Sequence, residues 1–195
     1  MLRESLEDAL RAIALTIEMR DPYTSGHQRR VADLAKILAQ ELGLTDDEVH
    51  GIYLAAIVHN IGKIQVPAEI LVKPGRLNDI EYSLVKSHVT SSYEILKDIK
   101  FPWPIADMVH QHHERMDGSG YPLKLKDGEI LFGARILAVA DVVEAMSSHR
   151  PYRPSLGIEV ALKEIERGRG TAYDEVVVDA CLKLFSEERF KFENV

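Results

Sequence analysis

A chain of 195 residues, 46% hydrophobic and 28% charged, can bury a sizeable core as one domain with an appended helix and is too short for two full-size domains. Lys and Arg number 24 against 31 Asp and Glu, and the net charge of −7 disfavours general binding to a nucleic-acid backbone. The longest apolar run, Ile52–Val58, falls far below the ~20 residues of a bilayer-spanning helix, so no membrane insertion is expected, and the single cysteine, Cys181, excludes an internal disulfide and suits a cytoplasmic location.

Taken in chain order, the pattern is helical nearly throughout, and the fold class it predicts is all-α. Leu2, Leu6, Leu10, Ile13, Ala14 and Ile17 trace an apolar stripe along an N-terminal helix, residues 1–20, ahead of a domain spanning 21–195. Two uses fit the stripe: packing on the same domain, or continuing a helix from an upstream sensor domain and pairing with a second copy in a homodimer. After His27, Val31, Leu34, Ala35, Leu38 and Leu42 mark one buried helix face, and Gly43 supplies a stop. Thr45 and Glu48 form a capping box that opens a helix through Val49, Ile52, Tyr53 and Ala56. Asn78 and Glu81 repeat the device, with Leu77 and Tyr82 spaced as a hydrophobic staple and His88 late in the same helix. Pro104 suits a first helical turn, followed on one face by Ile105, Met108, Val109 and His112. The stretch 131–147 is almost solidly apolar, as a central helix buried all round should be. Two further helices are expected at about 155–167 and 174–190, split by Gly168 and Gly170.

Chemistry concentrates on histidine. His59 closes one helix, His112 and His113 are adjacent at the end of another, His27 begins a helix, and Asp141 interrupts the apolar run ILAVADVVEAM. An ionised carboxylate is costly to bury unless it meets a cation or donors. Imidazoles on separate helices together with that carboxylate suit a metal site between helices, with iron, manganese or zinc as candidate ions. His50, His110 and His149 read as ordinary packed or surface histidines. Asp117-Gly118-Ser119-Gly120 reads either as a plain turn or as a glycine-rich loop that lets substrate approach the backbone.

HHERMDGSGYP resembles the HHExxDGxGYP signature of HD-GYP domains, a branch of the HD phosphohydrolase superfamily. DPYTSGHQRRVADLA, HNIGKIQVPAEIL, KPGRLNDIEYSLVKSH and ILAVADVVEAMSSHRPYRP stand around it in the family's order, from about residue 3 to 190. The resemblance implies an HD-type helical bundle with a metal site between helices. It also implies a metal-dependent phosphodiesterase that hydrolyses cyclic-di-GMP to pGpG, GMP or both. By position it makes His27, His59, residue 60, His88, His112, His113 and Asp141 the ligands of two divalent metal ions, iron or manganese foremost, with zinc, nickel or magnesium as alternatives. Lys63 matches the lysine that reaches the scissile phosphate. Asp117, Gly118, Tyr121, Arg150 and Arg153 match substrate-binding positions, and the GYP loop implies contact with a diguanylate-cyclase-type partner. Tyr23 stands where some members carry a third-metal glutamate, so two metals at most are expected.

The chain departs from the family at the His-Asp pair, where residue 60 is Asn60. An amide offers one neutral carbonyl oxygen where the carboxylate offers two oxygens and a negative charge that bridges the ions. The resemblance therefore implies either an enzyme weakened at Asn60 or a catalytically impaired signalling module that binds metal and nucleotide. A hydrolase for another nucleotide is the third reading. Glu144 stands where Asp is common, Ser92 replaces a frequent glycine, and Gly133 occupies a position where a larger residue is expected.

Overall fold

The structure, a computed structural model, describes residues 2–20, 25–148 and 155–192, with side chains from residue 7 onward. Ten α-helices and no strand occur among these residues: α1 (Leu2–Glu18), α2 (His27–Glu41), α3 (Asp46–Val58), α4 (Ala68–Leu71), α5 (Asp79–Lys86), α6 (His88–Leu96), α7 (Ile105–Gln111), α8 (Phe132–Ser147), α9 (Ile158–Arg167) and α10 (Glu175–Ser186). None is long and apolar enough to cross a membrane.

Local signals place most of the boundaries. Gly43 takes φ 76° just past α2, a conformation that glycine adopts at little cost. The box at α3 forms as read, with Glu48 N–H donating to Thr45 Oγ1 at 3.4 Å and Thr45 N–H to Glu48 Oε2 at 2.9 Å. Asn78 and Glu81 do the same for α5 at 2.9 and 2.8 Å. Two expectations need correction. The helix opened by Asn78 is interrupted at Ser87, so His88 begins α6 instead of ending α5. The last helix stops at Ser186, short of residue 190, because Glu188 takes φ 53° and the chain turns to pack Phe190 and Phe192 beside Phe185.

α8 is the axis. Its Ile136, Leu137, Val139, Ala140 and Val143 are buried, and α2, α3, α7, α9 and α10 surround it. Leu34, Leu54 and Ile136 are fully enclosed, and each such side chain contributes about 1.5–3 kcal/mol through burial. α1 lies across α3, with Leu10, Ala14 and Ile17 buried, so the described part of its stripe packs on the same domain, while Ile13 is 44% exposed. Gly133 has a packing reason: a Cβ there would sit 2.3 Å from Met108 Sδ, so the missing side chain lets α8 close on α7.

Candidate metal centre

The histidines of the site sit at helix ends, where backbone groups are left without an intrahelical partner. His59 caps α3, His88 opens α6 and His112 caps α7. Their Nδ1 atoms lie against the carbonyl three residues earlier: Ala56 at 2.6 Å, Val85 at 2.7 Å and Val109 at 2.6 Å. A carbonyl can only accept, so Nδ1 carries the proton in all three rings and Nε2 is left as a bare lone pair. The Nε2 atoms of His88 and His112 are buried and have no hydrogen-bond partner among the described residues.

Electrostatics keeps these rings neutral. Burial is the main cause in each case, depressing His88 to about 3 and His112 to about 4 and pushing His59 and His113 well below the usual range. Lys63, in the 3₁₀ turn that follows α3, adds its positive charge near His88 and His112. Neutral imidazole is the form that ligates a metal.

The ring nitrogens and one carboxylate fall into two groups able to hold an ion: His27, His59 and Asp141, and His88, His112 and His113. Asp141 Oδ1 lies 3.3 Å from His27 Nε2 and 3.8 Å from His59 Nε2. Burial pushes the Asp141 carboxyl up, but its hydrogen-bonding contact with His27 is the largest influence in the other direction and leaves it well below the usual range. A carboxylate facing lone-pair nitrogens is repulsive unless a cation or a proton stands between them. The groups adjoin, since the His59 ring is 5.1 Å from His112 and 5.4 Å from His27. The donor set and the orphaned nitrogens therefore fit a pair of divalent ions. Asn60 lies at the seam, its amide Nδ2 2.7 Å from His59 Nε2, the nitrogen that a metal would need.

Other expected site residues are placed less centrally. Tyr121 stacks on His113, ring centroids 4.9 Å apart at 23°. Asp117 is exposed and accepts from Ser119 N–H at 2.8 Å, and Gly118 takes φ 80°, so this segment is a turn whose hydrogen bond stays local. Arg150 and Arg153, like Tyr23 and His149, lie outside the described residues. His50 and His110 pack against Trp103 and Tyr93, as ordinary histidines do.

Three supporting residues have roles that the sequence did not assign, although Glu144 and Ser92 stand out there as departures from the family pattern. Glu144 is fully buried, touches His27 Nδ1 and accepts from Arg30 Nε at 2.8 Å and Ser148 Oγ at 2.5 Å. An acid one turn beyond Asp141 in an apolar helix was the available signal. Glu114 is also buried, and its carboxylate gathers the N–H groups of Leu123, Lys124 and Leu125 at 2.6–3.2 Å, which shapes the loop carrying Tyr121. Ser92 accepts from Gly62 N–H at 2.8 Å and donates to His59 O at 3.2 Å, tying α6 to the end of α3.

A family profile described as HD domain matches residues 11–177. Among curated relatives, the chain is 41% identical over 184 residues to a cyclic di-GMP phosphodiesterase of Thermotoga maritima, covering 93% of this chain and 50% of that protein. It is 37% identical over 175 residues to 3'3'-cGAMP-specific phosphodiesterase 1 of Vibrio cholerae, covering 88% and 40%. The chain thus spans half or less of these relatives. A solved cyclic GMP-AMP-specific phosphodiesterase of Vibrio cholerae shares the fold at a TM-score of 0.72 and 17% identity, covering 94% of this chain and 49% of that one.

Proposed function

The chain belongs to the HD domain family, and from that premise we propose that it is a metal-dependent phosphodiesterase acting on a cyclic dinucleotide, cyclic-di-GMP foremost, with pGpG, GMP or both as products. One observation carries the reading: Nε2 of His88 and His112, buried and without a protein partner among the described residues, beside Asp141, whose carboxyl is held well below its usual range. Buried polar atoms are rarely left unpaired, and lone pairs aimed at one another ask for cations. The relatives named for cyclic di-GMP and cGAMP support the substrate class.

In this reading His27, His59 and Asp141 hold one ion and His88, His112 and His113 the other, with iron or manganese suited to the mixed nitrogen and oxygen donors. Bound there, two such cations supply a more acidic water and offset charge building on the phosphoryl oxygens. Lys63 adds a fixed positive charge at the same oxygens and can hand a proton to the leaving oxygen. Glu144 holds His27 in the tautomer that presents Nε2 inward. Tyr121 walls the site over His113. Asp117, Gly118, Arg150 and Arg153 are assigned to substrate by resemblance.

Asn60 favours a second reading, a module that binds metal and nucleotide but hydrolyses little. Because His59 Nε2 carries no proton, the Asn60 amide is the donor in their contact, and an N–H group there competes with a metal for the same lone pair. A carboxylate could not do this. The test is to load the chain anaerobically with iron or manganese, count bound ions, and separate the products formed from cyclic-di-GMP. Linear product with two ions per chain supports the enzyme. Nucleotide binding without product, together with turnover restored by Asn60→Asp, supports the module. Neither binding nor product would sink both.

A further inference from the structure

α5 carries no buried residue, yet it is capped by the Asn78–Glu81 box and anchored by Lys73 Nζ on Glu81 at 2.7 Å. It does no core work and stands as a rigid exposed rib that runs through Ser87 directly into His88. At its last turn, Lys86 Nζ lies 4.9 Å from the ring centroid of Tyr82 and 5.5 Å from that of Tyr121. Tyr121 in turn stacks on His113. The order outward from the metal centre is therefore imidazole, phenol ring, ammonium and a second phenol ring that is 51% exposed. An ammonium within about 6 Å of two ring faces is held in place electrostatically. No carboxylate among the described residues pairs with it.

We propose that Tyr82 and Lys86 form a base-reading subsite beside the metal centre, which receives a purine of the bound nucleotide and favours guanine over adenine. The inference rests on the phosphodiesterase reading above. In this inference a phosphodiester seated at the imidazoles places one nucleoside past Tyr121, which stacks on His113 and carries Lys86 on its outer side, toward α5. The exposed Tyr82 face offers a stacking surface that any base can use. Lys86 supplies the discrimination, because guanine presents two acceptors, O6 and N7, on one edge, whereas adenine sets an amino donor beside N7. A purely phosphate-binding lysine would not distinguish the two.

The test is calorimetric binding of cyclic-di-GMP, 3'3'-cGAMP and cyclic-di-AMP to the metal-loaded full chain, which reads recognition without requiring turnover. Lys86→Gln should weaken cyclic-di-GMP by ~10–100-fold and cyclic-di-AMP by a clearly smaller factor, while Lys86→Arg keeps the guanine preference. Tyr82→Ala should weaken all three ligands by similar factors. Both positions are on a helix without core contacts, so the variants keep the fold. An unchanged guanine preference in Lys86→Gln, or an equal loss for all three ligands, overturns the subsite while leaving the phosphodiesterase reading standing. Failure of the metal-loaded wild-type chain to bind any of the three overturns that reading and the subsite with it.

Discussion

Glu144 decides how well His27 can serve. Burial opposes its charge, but His27, Ser148 and Arg30 hold the carboxyl down at about 2, so it faces His27 Nδ1 as an acceptor and leaves Nε2 toward Asp141. Partners of this kind are worth ~10–100-fold in metal affinity. Glu144→Gln should therefore lower metal affinity by about tenfold in a chelator competition while leaving the fold intact. Glu144→Ala also strands the Arg30 guanidinium and should cost ~3 kcal/mol in urea unfolding. The buried rings make a second prediction. His88 and His112 titrate at about 3 and about 4 in the metal-free fold but near 6.5 when unfolded. Below about pH 6.5 the unfolded chain binds protons that the folded chain refuses, so stability falls as pH drops toward 4 and gains nothing from these rings above 6.5. Urea midpoints of the metal-stripped chain at pH 7.5 and pH 5 check this, and equal midpoints would mean that the rings are solvated.

At the scale of elements, the decisive contact is the crossing of α6 over the 3₁₀ turn Ile61–Gln65. A Cβ on Gly62 would lie 2.1 Å from His88 O and 2.4 Å from Ser92 N, both backbone atoms that cannot step aside. Gly62→Ala must push α6 away, separating His88 from the His59 side of the site. A loss of ~1–3 kcal/mol should appear together with weaker metal binding, whereas Gly128→Ala, with nothing within 4 Å, serves as the control. What the sequence shows at this scale is what local chemistry decides. The boxes at Thr45 and Asn78 and the all-apolar α8 need no knowledge of neighbours. Long-range pairings are another matter: Arg189, just past α10, reaches Glu41, and Glu144 pairs with Arg30, 114 residues away. The histidines could be nominated from the chain, but which nitrogen of each faces inward is set by carbonyls at Ala56, Val85 and Val109 that only the folded helix ends present.

For the whole molecule, the proposed ligand groups come from α2, α6 and α8 and from the ends of α3 and α7, so an ion bound by them would clamp five helices around the core. An ion that binds only the folded chain stabilises it by mass action, about 2.7 kcal/mol at a hundredfold excess over Kd, which for a chain of this size corresponds to ~5–10 °C in Tm. Chelation should lower the melting temperature by that amount in one cooperative transition, because no ligand group belongs to a separable unit. Asn60 sets the size of the effect. With a neutral amide at the seam, repulsion between two dications is offset by Asp141 alone among the proposed ligands, so the second ion should bind more weakly than the first and leave two steps in a metal titration followed by Tm. Asn60→Asp adds a negative charge at the seam, and should merge those steps toward one and widen the gap between loaded and stripped protein. A single tight step in the unaltered chain, with no gain from Asn60→Asp, would show that the imidazoles hold both ions without a carboxylate at position 60.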